Sequence, residues 1–214
     1  MSADAAPLPV FGLILAGGLG RRMRAGAAAP PKPLVLLDGR PLIAHVIARL
    51  RPQVDRLVIN ANGPPEPYAA FALPVLADSL PGHRGPLAGI LAGLDHLAAT
   101  MPHAVMVSVP ADTPFIPADL VARLIARHRT TRGVVHAASG GRAHPVIALW
   151  PAAARHSIAA ALAAGEPRVM RLVADLNAAA EDWPAQPGGG EADPFFNVNT
   201  TEDLETARLR RVCP

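Results

Sequence analysis

The chain has 214 residues, of which 50% are hydrophobic and 17% charged, and its formal net charge at neutral pH is +3. This length and apolar content predict one folded domain and argue against intrinsic disorder. The small net charge excludes a nucleic-acid binder with a dedicated basic arm. No uninterrupted apolar run reaches the roughly 18 residues of a membrane-spanning helix, so we expect neither nucleic acid nor a membrane among its partners.

The cysteine count and the first residues of the chain indicate the cellular compartment in which the protein is expected. The single cysteine, Cys213, excludes a disulfide framework or a zinc-ligand cluster within the chain. Residues 1–10 lack the positively charged start of a secretory signal. We therefore expect a cytoplasmic protein.

Strand-like apolar runs alternate with amphipathic helical patterns along the chain. In chain order, the patterns predict a strand at 10–15, a helix at 41–51, strands at 57–60 and 73–76, a helix at 87–99, a strand at 104–109, a helix at 117–129, a strand at 146–150, helices at 152–164 and 168–179, a loop at 181–194, a strand at 196–198 and a helix at 201–211 capped by Thr200 or Thr201. This alternation favours a single-domain α/β fold with a mostly parallel sheet and helices on both faces. Such sheets bind ligands beyond the carboxyl ends of their strands. The segments concerned follow Leu15, Asn60, Leu76 and Val109.

The first predicted strand runs into a glycine-rich segment, residues 17–20, which is followed by Arg21 and Arg22. Glycines let the backbone approach a phosphate closely and present its N–H groups, and the two arginines add positive charge. The segment does not fit the P-loop, which needs a Gly-Lys pair. It does not fit the dinucleotide fingerprint either, which needs a third glycine where Met23 stands. From these residues alone, a phosphate-binding loop and a plain strand-to-helix turn both stay open.

Only one of the 20 lysine and arginine residues is a lysine, Lys32, and it lies a dozen residues beyond the glycines, between Pro31 and Pro33. A chain that uses arginine for generic positive charge has reason to keep lysine where chemistry needs a compact point charge. The flanking prolines stiffen the backbone that carries it. A surface lysine in a loop is the alternative. Chance would put the lone lysine at this one cationic position about one time in 20, so we predict a phosphate-binding role.

Further motifs follow in a fixed order around these residues. They begin with Leu-Ala-Gly-Gly at 15–18 and Arg-Met at 22–23, then Lys32 and Leu-x-x-Gly-x-Pro-Leu at 36–42. Five more are Val-Ile-Asn-Ala-Asn at 58–62, Asp-Ser at 78–79 with Gly-Pro-Leu-Ala-Gly at 85–89, Pro-Ala-Asp-Thr-Pro-Phe-Ile at 110–116, His-Pro at 144–145 and Asn-Val-Asn-Thr at 197–200. The first set resembles the sugar-nucleotide and cofactor nucleotidyltransferases, which have a Rossmann-like α/β fold. With the other five segments, the chain looks most like the molybdenum cofactor guanylyltransferases within that superfamily.

The resemblance implies a reaction in which GMP moves from GTP to the terminal phosphate of molybdopterin, with or without bound molybdenum, and pyrophosphate is released. The product is the guanine dinucleotide form of the cofactor, and Mg2+ is required. The resemblance also implies one nucleotidyltransferase domain over residues 1–214, with a nucleotide half at about 10–115 and an acceptor-substrate half at about 116–214. Expected partners besides GTP and molybdopterin are molybdoenzymes or their chaperones.

Matching positions give the expected nucleotide residues. We expect Arg22, Lys32 and Asp112 to be catalytic, because the attacking group is already an anion and the site has mainly to neutralise charge. Asp112 follows the most apolar predicted strand and is the expected Mg2+ ligand, since Mg2+ takes one or two protein carboxylates together with phosphate oxygens. Asp78 can accept from guanine N1–H and N2–H, a pair that adenine lacks. The nucleotide set comprises Leu15, Ala16, Gly17, Gly18, Lys32, Asn60, Asp78, Gly89 and Asp112. Turn or loop capping is the alternative role for Asn60, Asp78 and Asp112.

Polar residues of the second half are candidates for contacts with the pterin, its phosphate or its metal. They are Arg142, His144, Arg168, Asn197 and Asn199. For each, a structural role stays open, as a buried histidine, a solvated arginine or a capping asparagine. Asn197 and Asn199 alternate along a short predicted strand, so we expect them to face opposite sides.

One stretch departs from the family pattern. Family members often carry Gly-Gly-x-Asp-Lys after Arg-Met, whereas residues 24–32 read Arg-Ala-Gly-Ala-Ala-Ala-Pro-Pro-Lys. The Lys-Pro-Leu form is common in other nucleotidyltransferases of this fold, so a molybdopterin cytidylyltransferase or a sugar-phosphate nucleotidyltransferase is the nearest alternative. A non-catalytic nucleotide-binding adaptor for molybdoenzymes is an alternative of another class. It would be expected to lose Lys32 or Asp112, and both are present.

Overall fold

A computed structural model of the chain describes residues 8–17, 31–80, 85–184 and 193–210. Within these ranges the strands are β1 (Val10–Leu15), β2 (Leu36–Leu37), β3 (Arg40–Pro41), β4 (Arg56–Asn60), β5 (Val75–Leu76), β6 (Val105–Pro110), β7 (Val135–Ser139), β8 (Arg142–Pro151) and β9 (Ala179–Trp183). The α-helices are α1 (Leu42–Leu50), α2 (Pro86–Thr100), α3 (Leu120–Thr131), α4 (Ala154–Ala163), α5 (Val169–Asp175) and α6 (Thr201–Leu209). Short 3-10 helices lie at Lys32–Leu34, Arg51–Gln53 and Glu66–Phe71.

Seven of the described strands form one sheet in the order β5-β4-β1-β6-β8-β7-β9. β1 pairs in parallel with both β4 and β6, and β4 pairs in parallel with β5. β8 runs antiparallel to its neighbours β6 and β7, and β7 is parallel to β9. One strand of this sheet is therefore reversed, and the carboxyl ends of the others lie at one edge.

Successive side chains of β1 supply a hydrophobic core on each face of the sheet. Val10 and Ile14 pack on one face with α1 and α3, whereas Phe11 and Leu13 pack on the other with α2, α4 and α5. Burial on both faces is why the parallel strands are continuously apolar. A smaller core joins α6 to the β2–β3 hairpin. The predicted fold class, a mostly parallel α/β sheet with helices on both faces, is confirmed.

The last third of the chain departs from the sequence prediction. The helix predicted at 168–179 ends at Asp175, because Asn177 has a left-handed backbone (φ 49°) and the chain then extends. The extension is β9, which pairs with β7 and replaces the start of the loop predicted at 181–194. The strand predicted at 196–198 is also wrong. Phe196 N bonds to Asp193 O in a turn, and Val198 N bonds to Asp112 O rather than to a neighbouring strand.

The start of β8 differs from the prediction because a turn reverses the chain where periodicity gives no signal. Gly140 and Gly141, both with positive φ, join β7 to β8, so β8 starts at Arg142 and pairs back antiparallel. The helix predicted from 117 begins at Leu120.

No helix in the described ranges is both long enough and apolar enough to cross a membrane.

The last helix starts with a capping box, and of the two predicted caps the structure selects Thr200. Thr200 Oγ1 accepts from Asp203 N at 3.1 Å, and Thr200 N donates to Asp203 Oδ2 at 2.9 Å. Asp203 Oδ2 also accepts from Asn199 N at 2.8 Å, so the cap fixes the residue that precedes it.

Thr200→Val should lower the free energy of unfolding by about 1 kcal/mol, because the side chain keeps its shape but loses the oxygen that caps α6. Thr201→Val is the matched control, since Thr201 is exposed and does not cap the helix. Urea unfolding of both variants measures the difference. Equal losses in the two would contradict the assignment of the cap.

Candidate active site

The carboxyl ends of three neighbouring strands bring predicted site residues to one edge of the sheet. Ala16 N donates to Asn60 O at 2.8 Å, and Ala111 N donates to Leu15 O at 3.0 Å. The end of β1 therefore lies between Asn60, at the end of β4, and Asp112, just after β6. This is the edge at which sheets of this class bind their ligands.

Lys32 is held over Asp112 by a 3-10 helix whose Pro33 is buried. Its Nζ forms an ion pair with Asp112 Oδ2 and donates to Asn199 Oδ1 at 2.6 Å. The Lys32 side chain is only 11% exposed, so water screens the pair less than it would at a free surface. Three predicted site residues from distant parts of the chain thus form one hydrogen-bonded group.

One oxygen of Asp112 has no hydrogen-bond partner among the described residues. Its Oδ2 forms an ion pair with Lys32, whereas its Oδ1 is buried and accepts no hydrogen bond from them. A buried carboxylate oxygen is costly unless a ligand or a cation completes it. The described residues contain no group of three or more His, Cys, Asp and Glu side chains that could hold a metal. A cation at Asp112 would therefore also draw on amide, phosphate or water oxygens, as Mg2+ commonly does.

The segment before α6 closes the other side of this group. Val198 N donates to Asp112 O at 2.9 Å, and Thr113 Oγ1 donates to Asn197 Oδ1 at 2.6 Å. The sequence predicts that Asn197 and Asn199 face opposite sides of a strand. The segment is not a strand, and Asn199 binds Lys32 while Asn197 binds Thr113, the residue that follows Asp112.

A second polar group lies at the end of β4. Asn60 is buried, and its Nδ2 donates to Asp78 Oδ1 at 3.0 Å and to Leu76 O at 3.1 Å. Gly89 of α2 faces the same amide, and a Cβ at this glycine would lie 2.1 Å from Asn60 Oδ1. A side chain at position 89 would therefore displace Asn60, so the glycine is what allows α2 to pack against the site.

Asn62 also binds Asp78, and the sequence reasoning did not single it out. Its Nδ2 donates to Asp78 Oδ2 at 2.7 Å, and its Oδ1 accepts from Asp78 N at 2.9 Å. The sequence feature that could have indicated it is a second amide side chain, two residues after the asparagine that ends β4. Together, Asn60 and Asn62 engage both oxygens of the Asp78 carboxylate.

His144 lies on β8 beyond the end of β6 and is buried. Its Nε2 is 2.8 Å from Ser139 Oγ, whose hydroxyl donates to Asp193 Oδ1 at 2.6 Å. Because the serine proton is used on Asp193, His144 Nε2 must donate to the serine oxygen. The imidazole also packs on Phe195, with ring centroids 5.0 Å apart. His144 thus tethers the segment before α6 through Ser139 and Asp193, two residues that no sequence motif indicated.

The two arginines predicted to contact the acceptor are exposed. Arg142 begins β8, beside the glycine turn. Arg168 donates to both oxygens of Glu166, at 2.8 and 2.6 Å, and these bonds lower the pKa of the Glu166 carboxyl to about 2. The structure therefore shows Arg168 paired with Glu166 and not with the Lys32 group. Of the other predicted residues, Gly17 is the last one described after β1, and Gly18 and Arg22 lie outside the described residues.

Comparison with known families places this chain in a class of proteins. A family model described as a MobA-like NTP transferase domain matches residues 12–180. That stretch contains Lys32, Asn60, Asp78, Asp112 and His144. The chain belongs to this family of NTP transferases.

Curated relatives define the group within the family. The molybdenum cofactor guanylyltransferase of Bradyrhizobium sp. is 51% identical over 201 residues, which are 92% of this chain and 91% of that protein. The molybdenum cofactor guanylyltransferase of Rhodopseudomonas palustris (strain BisB5) is 50% identical over 198 residues, which are 91% of this chain and 90% of that protein. The predicted resemblance to the molybdenum cofactor guanylyltransferases is confirmed.

A solved structure supports the fold independently. The crystal structure of molybdopterin-guanine dinucleotide biosynthesis protein A from Archaeoglobus fulgidus matches with a TM-score of 0.70, over 93% of this chain and 97% of that one. Its sequence identity to this chain is 22%, so the match speaks for the fold alone.

The environment of His144 keeps its imidazole neutral. Burial lowers the pKa of His144 below its ordinary value, and the nearby Arg142 and His136 lower it further, while Asp193 opposes them. A neutral ring still carries the one N–H that the bond to Ser139 needs.

The free energy of unfolding should therefore fall as the pH is lowered from about 8 to about 5.5, because the unfolded chain takes up a proton at His144 that the folded protein resists. His144→Gln removes this contribution, so its stability should change less over the same range. Urea unfolding of both proteins at several pH values measures the two slopes. A slope in the variant as steep as that of the wild type would contradict this role of the burial of His144.

Proposed function

We propose that the protein transfers GMP from GTP to the phosphate of molybdopterin, with or without bound molybdenum, and releases pyrophosphate. An acceptor phosphate oxygen attacks the α-phosphorus of GTP, and the bond from that phosphorus to the pyrophosphate oxygen breaks. Family membership and the names of relatives at 51% and 50% identity support this reaction. The observation that carries it is the contact of Lys32 with Asp112 and Asn199 at the binding edge of the sheet.

The charges at this edge suit the union of two anions. Attack by a phosphate needs no general base, so the main task of the site is to reduce repulsion between acceptor and triphosphate. Lys32 supplies a compact positive charge in a place where burial limits screening. Asp112 and Asn199 fix the ammonium group in advance, so little reorganisation is needed when phosphate binds.

Asp112 is the proposed ligand of Mg2+, and its buried Oδ1, which no described residue bonds, supports this assignment. Mg2+ bound there would neutralise charge on the triphosphate. We propose further nucleotide contacts from the end of β1, the glycine loop and α2. They are Leu15, Ala16, Gly17, Gly18, Arg22 and Gly89.

Asp78 and Asn60 are the proposed binding residues for the guanine nucleotide. Guanine presents the N1–H and N2–H donors side by side, and a carboxylate can accept both. Cytosine has no such pair of donors, so this arrangement favours GTP over CTP. The hydrogen bond from Asn60 to Asp78 Oδ1 supports a fixed carboxylate at this place.

The acceptor is proposed to bind toward the second half of the chain, at about 116–214, and the nucleotide toward the first, at about 10–115. The bonds of Asn199 to Lys32 and of Asn197 to Thr113 support this division, because they join the halves beside Asp112. The proposed acceptor set is Arg142, His144, Arg168, Asn197 and Asn199. Delivery of the product to molybdoenzymes or their chaperones in the cytoplasm completes the proposal.

Pyrophosphate release tests the proposed reaction. Purified protein is given GTP or CTP, each with and without molybdopterin and Mg2+. Release is expected with GTP, molybdopterin and Mg2+ together, and omission of any one should reduce it to background. Release that prefers CTP would support the cytidylyltransferase alternative, and no release with GTP, molybdopterin and Mg2+ would reject guanylyl transfer.

Lys32→Arg should lower kcat about 100-fold although it keeps the charge, because a planar guanidinium cannot replace the compact ammonium between Asp112 and Asn199. Arg40→Lys, at an exposed position of β3, is the reciprocal control and should leave kcat near the wild-type value. Steady-state pyrophosphate release measures both. Near-normal turnover in the first variant would show that the lone lysine is not required.

A further inference from the structure

Asn62 and Asp78 form a reciprocal pair of hydrogen bonds at the edge of the proposed base site. Asn62 Nδ2 donates to Asp78 Oδ2 at 2.7 Å, and Asn62 Oδ1 accepts from Asp78 N at 2.9 Å. One end of the amide meets an acceptor and the other meets a donor, so the amide has a single chemically sensible orientation. An aspartate at position 62 would keep the acceptor but lose the donor.

The Asp78 carboxylate is thereby held from two sides. Asn60 Nδ2 binds Oδ1 at 3.0 Å, and Asn62 Nδ2 binds Oδ2 at 2.7 Å. The last torsion of an aspartate side chain is otherwise broadly distributed, so these two bonds select one rotation of the carboxylate plane. Each carboxylate oxygen can accept about two hydrogen bonds, and among the described side chains each accepts one, which leaves one acceptor site per oxygen for a ligand.

Asn62 differs from Asn60 in what depends on it. Asn60 is 3% exposed and also binds Leu76 O, so its replacement would disturb the end of β4. Asn62 is exposed, and among the described residues its side chain forms hydrogen bonds with Asp78 alone. Its amide also lies toward the start of the glycine loop, since a Cβ at Gly17 would be 3.8 Å from Asn62 Nδ2. Replacement of Asn62 therefore alters the orientation of Asp78 with little effect on the core.

We infer that Asn62 is a specificity-determining positioning residue, which turns the Asp78 carboxylate so that both of its oxygens face paired N–H donors of a purine base. This inference rests on the proposed use of GTP. The paired donors are N1–H and the N2 amino group of guanine. Hypoxanthine keeps N1–H but lacks the amino group, so ITP reports on the second of the two hydrogen bonds.

The experiment compares GTP with ITP in the full chain, with molybdopterin and Mg2+ present. For Asn62→Ala, kcat/KM with GTP should fall about tenfold, because a hydrogen bond to the charged Asp78 is lost when the carboxylate rotates. kcat/KM with ITP should change much less, so the preference for GTP over ITP should shrink by a similar factor. Asn62→Asp has the same shape but places a second carboxylate against Asp78, and it should reduce the preference at least as much.

Ser79→Ala is the matched control. Ser79 is exposed and adjacent to Asp78 in the chain, but its hydroxyl donates to Asp95 Oδ2 at 2.8 Å and not to Asp78. Its GTP-over-ITP preference should equal that of the wild type. The midpoint of thermal unfolding, measured for all three variants, checks that each is folded.

The outcomes separate this inference from the proposed function. If the wild type does not use GTP, guanylyl transfer is rejected, and the inference falls with it. If the wild type prefers GTP over ITP and both Asn62 variants keep that preference, guanylyl transfer stands and the positioning role of Asn62 is rejected. Equal losses with GTP and ITP would also reject it, since they would indicate a general structural effect.

Discussion

Withdrawal of a carboxylate and an ammonium group from water is the constraint on which the site depends. Lys32 and Asp112 are 80 residues apart in the chain, and their side chains are 11% and 20% exposed in the ion pair. A pair removed from water must recover its lost hydration through further hydrogen bonds. Asn199 provides one for Lys32, whereas Asp112 Oδ1 has no partner in the part of the chain that the structure describes. Hydrogen bonds from the described residues therefore leave a buried polar atom unsatisfied at the place where we propose that phosphate and a cation bind.

The part of the fold that the sequence predicts is the part whose patterns are local. β1 has its predicted bounds, because a strand buried on both faces needs an unbroken apolar run, and in the sequence this run is followed by Ala16 and two glycines. β9 has no such signal. Its residues continue an alanine-rich helical pattern, and only the left-handed turn at Asn177 and the pairing with β7 make it a strand. Sequence periodicity cannot supply a partner strand more than forty residues away.

The residues of the candidate site also fall into those that a local sequence signal marks and those that it does not. Lys32, Asn60 and Asp112 could be predicted, because a compositional anomaly or the end of an apolar strand marks each of them. Ser139 and Asp193 could not, since a serine in a strand and an aspartate in a loop have many ordinary roles. They become a pair only when the β7–β8 turn and the segment before α6 bring Ser139 Oγ within 2.6 Å of Asp193 Oδ1. The geometry of the proposed acceptor side is thus a product of tertiary contacts.

The two sides of the site consequently differ in what holds them. On the proposed nucleotide side, strand ends and the close approach of α2 at Gly89 fix Asn60, which binds Asp78. Side chains that the fold holds in place before binding suit the recognition of a base and a phosphate chain, because these groups are the same in every turnover. On the other side, within the described residues, the segment before α6 is held by side-chain tethers, by the buried Phe195 and by one backbone hydrogen bond to Asp112. Lys32 and Asp112 lie where the two sides meet, so a ligand bound on either proposed side would lie near the same ion pair.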